Sequence, residues 1–198
     1  MAVERATPGE ARSYFVGATD GQLPASTNPC EAPPGHYWVH AYPDRSEQKA
    51  IRTGKWLLFL GCEYVAKSWG LIRSGVQDGT LGISAKISTE WSRANDPAGP
   101  WRKHVVCVYT YDWRDAPDVL RVAAGLHTIG VVNKMTLSYK PDIFTLSGQY
   151  SGNSAGELAI YRCKPPYAEL TVAQSNLDNA EAATRFEGIV SPIRPGTA

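Results

Sequence analysis

The run Gly54-Lys55-Trp56-Leu57-Leu58-Phe59-Leu60-Gly61 constrains the fold more than any other stretch of the chain. It is apolar on both faces apart from Lys55, and a glycine bounds it at each end. It is far shorter than the ~20 apolar residues of a membrane span, and it lacks the polar side of a surface helix. A short run of this kind is a central strand, with sheet on either side of it and other elements covering it.

The surrounding periodicities supply those elements. His36 to Tyr42 alternates, with Trp38, His40 and Tyr42 on one face and Tyr37, Val39 and Ala41 on the other. Val65, Trp69, Ile72 and Val76 recur at helical spacing up to Asp78-Gly79. Leu81 to Thr89 alternates again, placing Ser84, Lys86 and Ser88 opposite Ile83, Ala85 and Ile87. A loop carrying Asn95, Asp96, Pro97, Gly99 and Pro100 reads as a mobile flap. Lys103 to Asp112 is β-rich. Asp115 caps a second helix with Pro117 in its first turn and Gly130 at its end. Strands at Lys134 to Thr145 and Leu158 to Lys164 follow, and Gln174 to Glu187 forms a weaker, polar helix.

This order predicts an α+β domain, a mostly antiparallel sheet with helices on one face and a polar, open face carrying Ser84, Lys86 and Ser88. The expected organisation is a flexible leader over 1–34, one domain over 35–165, and an extension with a weak helix over 166–198. Pro24, Pro29, Pro33 and Pro34 mark the leader, and Pro165-Pro166 marks the exit.

Several function classes are excluded at this stage. The 20 Lys and Arg balance 19 Asp and Glu, a formal charge of +1, so the chain has no global field for duplex nucleic acid or an anionic membrane. Met1-Ala2-Val3-Glu4-Arg5 does not open a secretory signal, and a cytoplasmic location is expected. Nucleotide loops, metalloprotease helices, nucleophile elbows and calcium loops are absent. Cys30, Cys62, Cys107 and Cys163 form no CxxC pair and are expected as reduced, mostly buried thiols. His36, His40, His104 and His127 have no helical metal spacing, and His36 and His40 stand ~13 Å apart along a strand. Neither a metal site nor an organic cofactor is expected.

What remains is cationic and aromatic. Lys55 begins the apolar strand, Lys86 sits mid-strand between serines, and Arg102 opens the next strand. A mid-strand lysine needs either a wet face or an anionic partner. Tyr139-Lys140-Pro141-Asp142 puts a proline inside a strand pattern, and such irregularities aim side chains into sites. Trp69 and Trp56 belong to the core, whereas Trp91, Trp101 and Trp113 lie in or beside loops, where they are available to a flat ligand.

Four ordered blocks, Gly54-Lys55-Trp56-Leu57, Leu81 to Ser88, Val106 to Asp112 and Tyr139 to Thr145, resemble the basophilic-leukemia-expressed protein family. The resemblance runs from about Trp38 to Cys163. It implies the fold of translation initiation factor 4E, a curved antiparallel sheet backed by helices. The central blocks are also similar to phosphothreonine lyases, a label often given to bacterial members. In those enzymes a lysine removes the α-proton of a phosphorylated residue, a histidine protonates the leaving phosphate, and Arg, Lys and Tyr hold it. The resemblance implies Lys86 as base, Lys55 as phosphate-side lysine, and Arg102 and Tyr109 as phosphate contacts. The lyases' Lys-x-His is Lys55-Trp56-Leu57 here, which leaves His40 on the preceding strand as the replacement acid.

Two functions follow as expectations. One is β-elimination of phosphate from a phosphorylated peptide or a small phosphoester, without cofactor. It uses Lys86, Lys55 and His40, with Arg102, Tyr109, Tyr139, Lys140 and Asp142 around the ligand. The other is non-catalytic binding of a nucleotide or cap-like ligand, stacked on Trp91, Trp101 or Trp113.

Overall fold

The computed structural model describes residues 23–43, 52–95, 103–149 and 158–189. The elements run in the order β1 (Trp38–Ala41), β2 (Gly54–Leu60), α1 (Cys62–Gln77), β3 (Ser84–Ser88), α2 (Glu90–Ala94), β4 (His104–Thr110), α3 (Ala116–Thr128), β5 (Leu137–Pro141), α4 (Asp142–Leu146), β6 (Tyr161–Cys163), β7 (Leu170–Val172) and α5 (Gln174–Ile189). Seven strands form a single sheet in the order β1-β3-β4-β2-β5-β6-β7. Every pairing in it is antiparallel. The fold is α+β, and the apolar run expected to be central is the middle strand.

Pleat alternation divides the sheet into two faces. Val39, Ala41, Trp56, Leu58, Ala85, Ile87, Val106, Val108, Leu137 and Tyr139 point to one of them and are buried in the core. There they meet Val65, Trp69, Ile72 and Val76 of α1 and Val119, Val122, Ala123 and Leu126 of α3, the stripes that a 3.6-residue period marks. Asp115 caps α3 by accepting from the Asp118 amide at 3.1 Å. The Trp56 indole N–H donates to the Val119 carbonyl at 2.9 Å, tying β2 to that helix. Among the described residues, no helix is long and apolar enough to cross a membrane.

Tertiary packing changes several sequence expectations. The strand expected over Lys134 to Thr145 ends at Pro141, and Asp142–Leu146 turns into α4. Proline offers no amide to continue the ladder, and the Asp142 amide bonds instead to the Thr53 carbonyl at 2.9 Å. Residues 23–36 form the expected loop, but it is docked. Leu23 bridges Val39, and the Trp69 indole donates to the Ala25 carbonyl at 2.8 Å. Chain beyond Pro166 likewise belongs to the body, since β7 extends the sheet and Ala180 of α5 is buried in the core. The flap residues Asp96, Pro97, Gly99 and Pro100 lie outside the described residues.

Candidate functional site

The sheet face turned away from α1 and α3 carries the polar side chains, and strand register places them. On one level of the ladder His40 stands opposite Lys86, Lys86 opposite Cys107, Cys107 opposite Leu57, and Leu57 opposite Ser138. On the next level Ser84 faces Tyr109, Tyr109 faces Lys55, and Lys55 faces Lys140. Lys55, Lys86 and Lys140 therefore share one face of three strands. At the β1–β3 end Trp38, His40, Ser84 and Lys86 are half-buried and Ser88 is buried, so this end is less open than expected. The other end is closed further: Lys55 is 6% exposed, Tyr109 7% and Lys140 8%.

Side chains and backbone of the following segment close that end. The Lys55 ammonium donates to Asp142 in a buried ion pair and to Thr145 Oγ1 at 3.2 Å. Asp142 also accepts from Thr53 Oγ1 at 2.6 Å. Lys140 Nζ donates to the Gln149 carbonyl at 2.6 Å. Lys55 Nζ lies 5.4 Å from the centre of the Tyr109 ring. The Tyr109 hydroxyl sits beside the Cys107 thiol, buried, and makes no hydrogen bond of normal geometry.

Lys86 is set differently. Its Nζ lies 4.0 Å from the centre of the Trp38 ring, a cation–π contact. Burial lowers its pKa from the ordinary lysine value, and the nearby Lys55 charge lowers it further. Cys107 and Asp142 pull the other way. Burial, and then the Lys86 charge, also depress His40. The imidazole stacks on Tyr42 at 5.9 Å, and its Nδ1 lies 3.3 Å from the Tyr42 hydroxyl. Burial, followed by Lys55, pushes Lys140 down to about 8. Two depressed lysines and a depressed histidine on one face are the mark of cations held together out of water. Lys55, Lys86 and Lys140 thus gather three ammonium groups on one sheet face.

Of the residues singled out in the sequence, Lys55, Lys86, His40, Tyr109, Lys140 and Asp142 share this face or its edge. Asp142 is the carboxylate partner of Lys55. Tyr139 does not belong. One residue from Lys140 along the strand, it points into the core, is fully buried, and is hydrogen-bonded to the Thr110 hydroxyl. Trp113 is also removed from the ligand-stacking set: it is 1% exposed and part of the core. Trp91 lies on α2 with its ring edge-on to Tyr37 at 4.9 Å, not over the lysines. Arg102 and Trp101 lie outside the described residues. Trp38, which meets Lys86, was missed as a site residue, and its shared strand parity with His40 was the available signal. Thr145 and Cys107 were also missed. Only the turn into α4 and the β3–β4 register bring them in.

Fold and site together define an α+β protein whose single antiparallel sheet presents a sheltered, cationic, aromatic-lined face opposite its helices. The family model described as basophilic leukemia-expressed protein Bles03 matches residues 43–148. That stretch exceeds half of the chain and includes β2 through α4, and the chain belongs to this family.

Proposed function

We propose that this face binds a phosphate ester and eliminates its phosphate, in the manner of a phosphothreonine lyase built on an initiation factor 4E-like sheet. The observation that carries the reading is Lys86, sheltered between Trp38 and Cys107, depressed by burial, and directly opposite His40. A base must lose its proton near neutral pH, and burial among other cations is how a lysine comes to do so.

In this mechanism neutral Lys86 Nζ takes the α-proton of a phosphorylated Ser or Thr residue. The released electron pair forms the Cα=Cβ bond, the Cβ–O bond breaks, and phosphate leaves with the bonding pair. The leaving oxygen needs a proton, which His40 supplies. Its pKa is depressed in the free protein, and the charge of a bound phosphate dianion raises it again. Lys55 and Lys140 offset the charge gathering on the departing group. The family resemblance and the register of these residues support the assignment. A stacked nucleotide ligand gains less support, because Trp113 is enclosed in the core.

The test is Lys86→Arg, assayed for phosphate binding and for turnover of phosphothreonine and phosphoserine peptides. Arginine keeps the charge but stays protonated. Binding is expected to persist while formation of dehydrobutyrine, dehydroalanine and free phosphate falls by ~10²–10⁴-fold. An active Lys86→Arg variant, or a wild-type protein that releases no phosphate from these peptides, refutes the proposal.

A further inference from the structure

On the helix side of the sheet, at its opposite end, four side chains from four segments converge. Cys30 comes from the docked loop before β1, Cys62 is the first residue of α1, Glu90 the first of α2, and His104 the first of β4. His104 Nε2 lies 3.6 Å from Cys30 Sγ, 3.4 Å from Cys62 Sγ and 3.5 Å from Glu90 Oε2. Cys62 Sγ is 3.8 Å from the same carboxylate oxygen. The two sulfurs and the imidazole nitrogen all lie within 4.8 Å of one another.

Hydrogen bonds can link these groups only in pairs. The other ring nitrogen of His104, Nδ1, is 2.7 Å from the Ser88 carbonyl. A carbonyl only accepts, so Nδ1 carries a proton, and in the neutral ring Nε2 presents a single lone pair. Only one of the two thiols can donate to that lone pair; the Cys62 thiol can instead donate to Glu90 Oε2, at 3.8 Å. A cation between the two sulfurs and the imidazole nitrogen would use all three donors at once. With metal–sulfur bonds of ~2.3 Å and metal–nitrogen or metal–oxygen bonds of ~2.0–2.1 Å, tetrahedral angles require S···N and S···O edges of about 3.5–3.6 Å and an N···O edge of about 3.4 Å. The His104–Cys30, His104–Cys62, His104–Glu90 and Cys62–Glu90 distances fall within a few tenths of an ångström of these values, while the group in which every ligand atom lies within 4.8 Å of the others is Cys30, Cys62 and His104.

The outer contacts match as well. An N–H held by a backbone carbonyl fixes the tautomer and aim of a metal-binding imidazole. Arg93 Nε donates to Glu90 Oε2 at 2.9 Å and holds the carboxylate in place. The Glu90 amide donates to the Pro29 carbonyl at 2.9 Å, and the Cys30 amide to Asn28 Oδ1 at 3.1 Å, so the backbone on both sides is fixed. We propose that Cys30, Cys62 and His104 hold a zinc ion that staples the loop before β1 to the starts of α1 and β4, with Glu90 at the start of α2 the carboxylate beside them that moves in to complete a tetrahedron. Two thiolates with one imidazole select a borderline-soft divalent ion over magnesium or calcium. The absence of a CxxC pair does not count against it, because the donors are assembled by the fold.

The test uses the full chain, purified under reducing conditions. Elemental analysis is expected to find about one zinc per chain. Replacement of zinc by cobalt(II) should give thiolate-to-metal charge transfer in the near ultraviolet and the visible bands of a tetrahedral ion. Cys62 is at the surface, so Cys62→Ser is the cleanest variant, and circular dichroism checks that it folds. Cys62→Ser and Cys30→Ser should each lose the charge-transfer intensity of one sulfur and weaken zinc retention at least tenfold against a chelator, whereas Cys163→Ser should change neither. A folded, reduced protein that takes up no zinc and gives no cobalt charge transfer overturns the proposal. So does a charge-transfer band that keeps its full intensity in both Cys30→Ser and Cys62→Ser.

Discussion

Replacing Asp142 by Asn leaves the shape of the side chain intact and removes its charge. In the native protein this carboxylate and Lys55 are each 7% exposed at the side chain and form an ion pair. At a contact distance of ~3 Å and an effective dielectric of ~20, the lost attraction is about 5 kcal/mol. The amide still accepts from Thr53 Oγ1, and Lys55 keeps its bond to Thr145, so part of that is retained. Removing one partner of a buried pair characteristically costs about 3–5 kcal/mol, because the other charge stays buried without compensation. For a chain of this size, such a loss lowers the melting temperature by about 6 to 20 °C. Urea unfolding followed by tryptophan fluorescence provides the measurement, since Trp56 and Trp113 are enclosed and change environment on unfolding. The double replacement Lys55→Met with Asp142→Leu should recover most of the loss, because an apolar pair of similar volume is close to neutral where an ion pair was buried. A single-mutant loss below about 1 kcal/mol would falsify this reasoning, since that is the worth of a surface pair.

Gly82→Ala is expected to destabilise the protein by at least about 1–3 kcal/mol, because the new Cβ would fall 1.8 Å from the Tyr109 carbonyl oxygen. Equilibrium urea unfolding measures it, and an unchanged midpoint would contradict the close approach of the β3 lead-in to β4. Lys140 titrates at about 8 when folded and at about 10.4 when unfolded. Between those values the unfolded chain binds more protons, so this residue's contribution to stability rises with pH. Its burial penalty is complete below about pH 8 and gone above about pH 10.5, so wild type should gain up to roughly 3 kcal/mol on Lys140→Met across that window. A difference between the two proteins that stays flat from pH 7.5 to 10 would show that Lys140 keeps an ordinary lysine pKa.

Local pattern determined a great deal of this protein. The doubly apolar run Gly54 to Gly61 became the middle strand of the sheet, and the 3.6-residue stripes of Val65, Trp69, Ile72 and Val76 and of Val119, Ala123 and Leu126 became the buried sides of α1 and α3. Alternation placed Ser84 and Lys86 on the face away from the helices. It also separates Tyr139 from Lys140, because neighbouring strand residues point to opposite faces. These features are legible because each depends on residues within two turns or a few strand positions of one another.

Other features depended on contacts that periodicity does not encode. The chain neighbours of Trp113 are loop-like, and only the packing of the core on this side chain shows that it is not a ligand platform. Helix α4 is a five-residue turn, too short to leave a helical stripe, yet it delivers Asp142 to Lys55 from 87 residues away. Cys30, Cys62 and His104 look scattered along the chain and converge only in space. Periodicity fixes which way a side chain points relative to its own strand or helix. Which distant side chains then meet is set by strand order and register, and these are determined only when the whole sheet pairs and its helices pack.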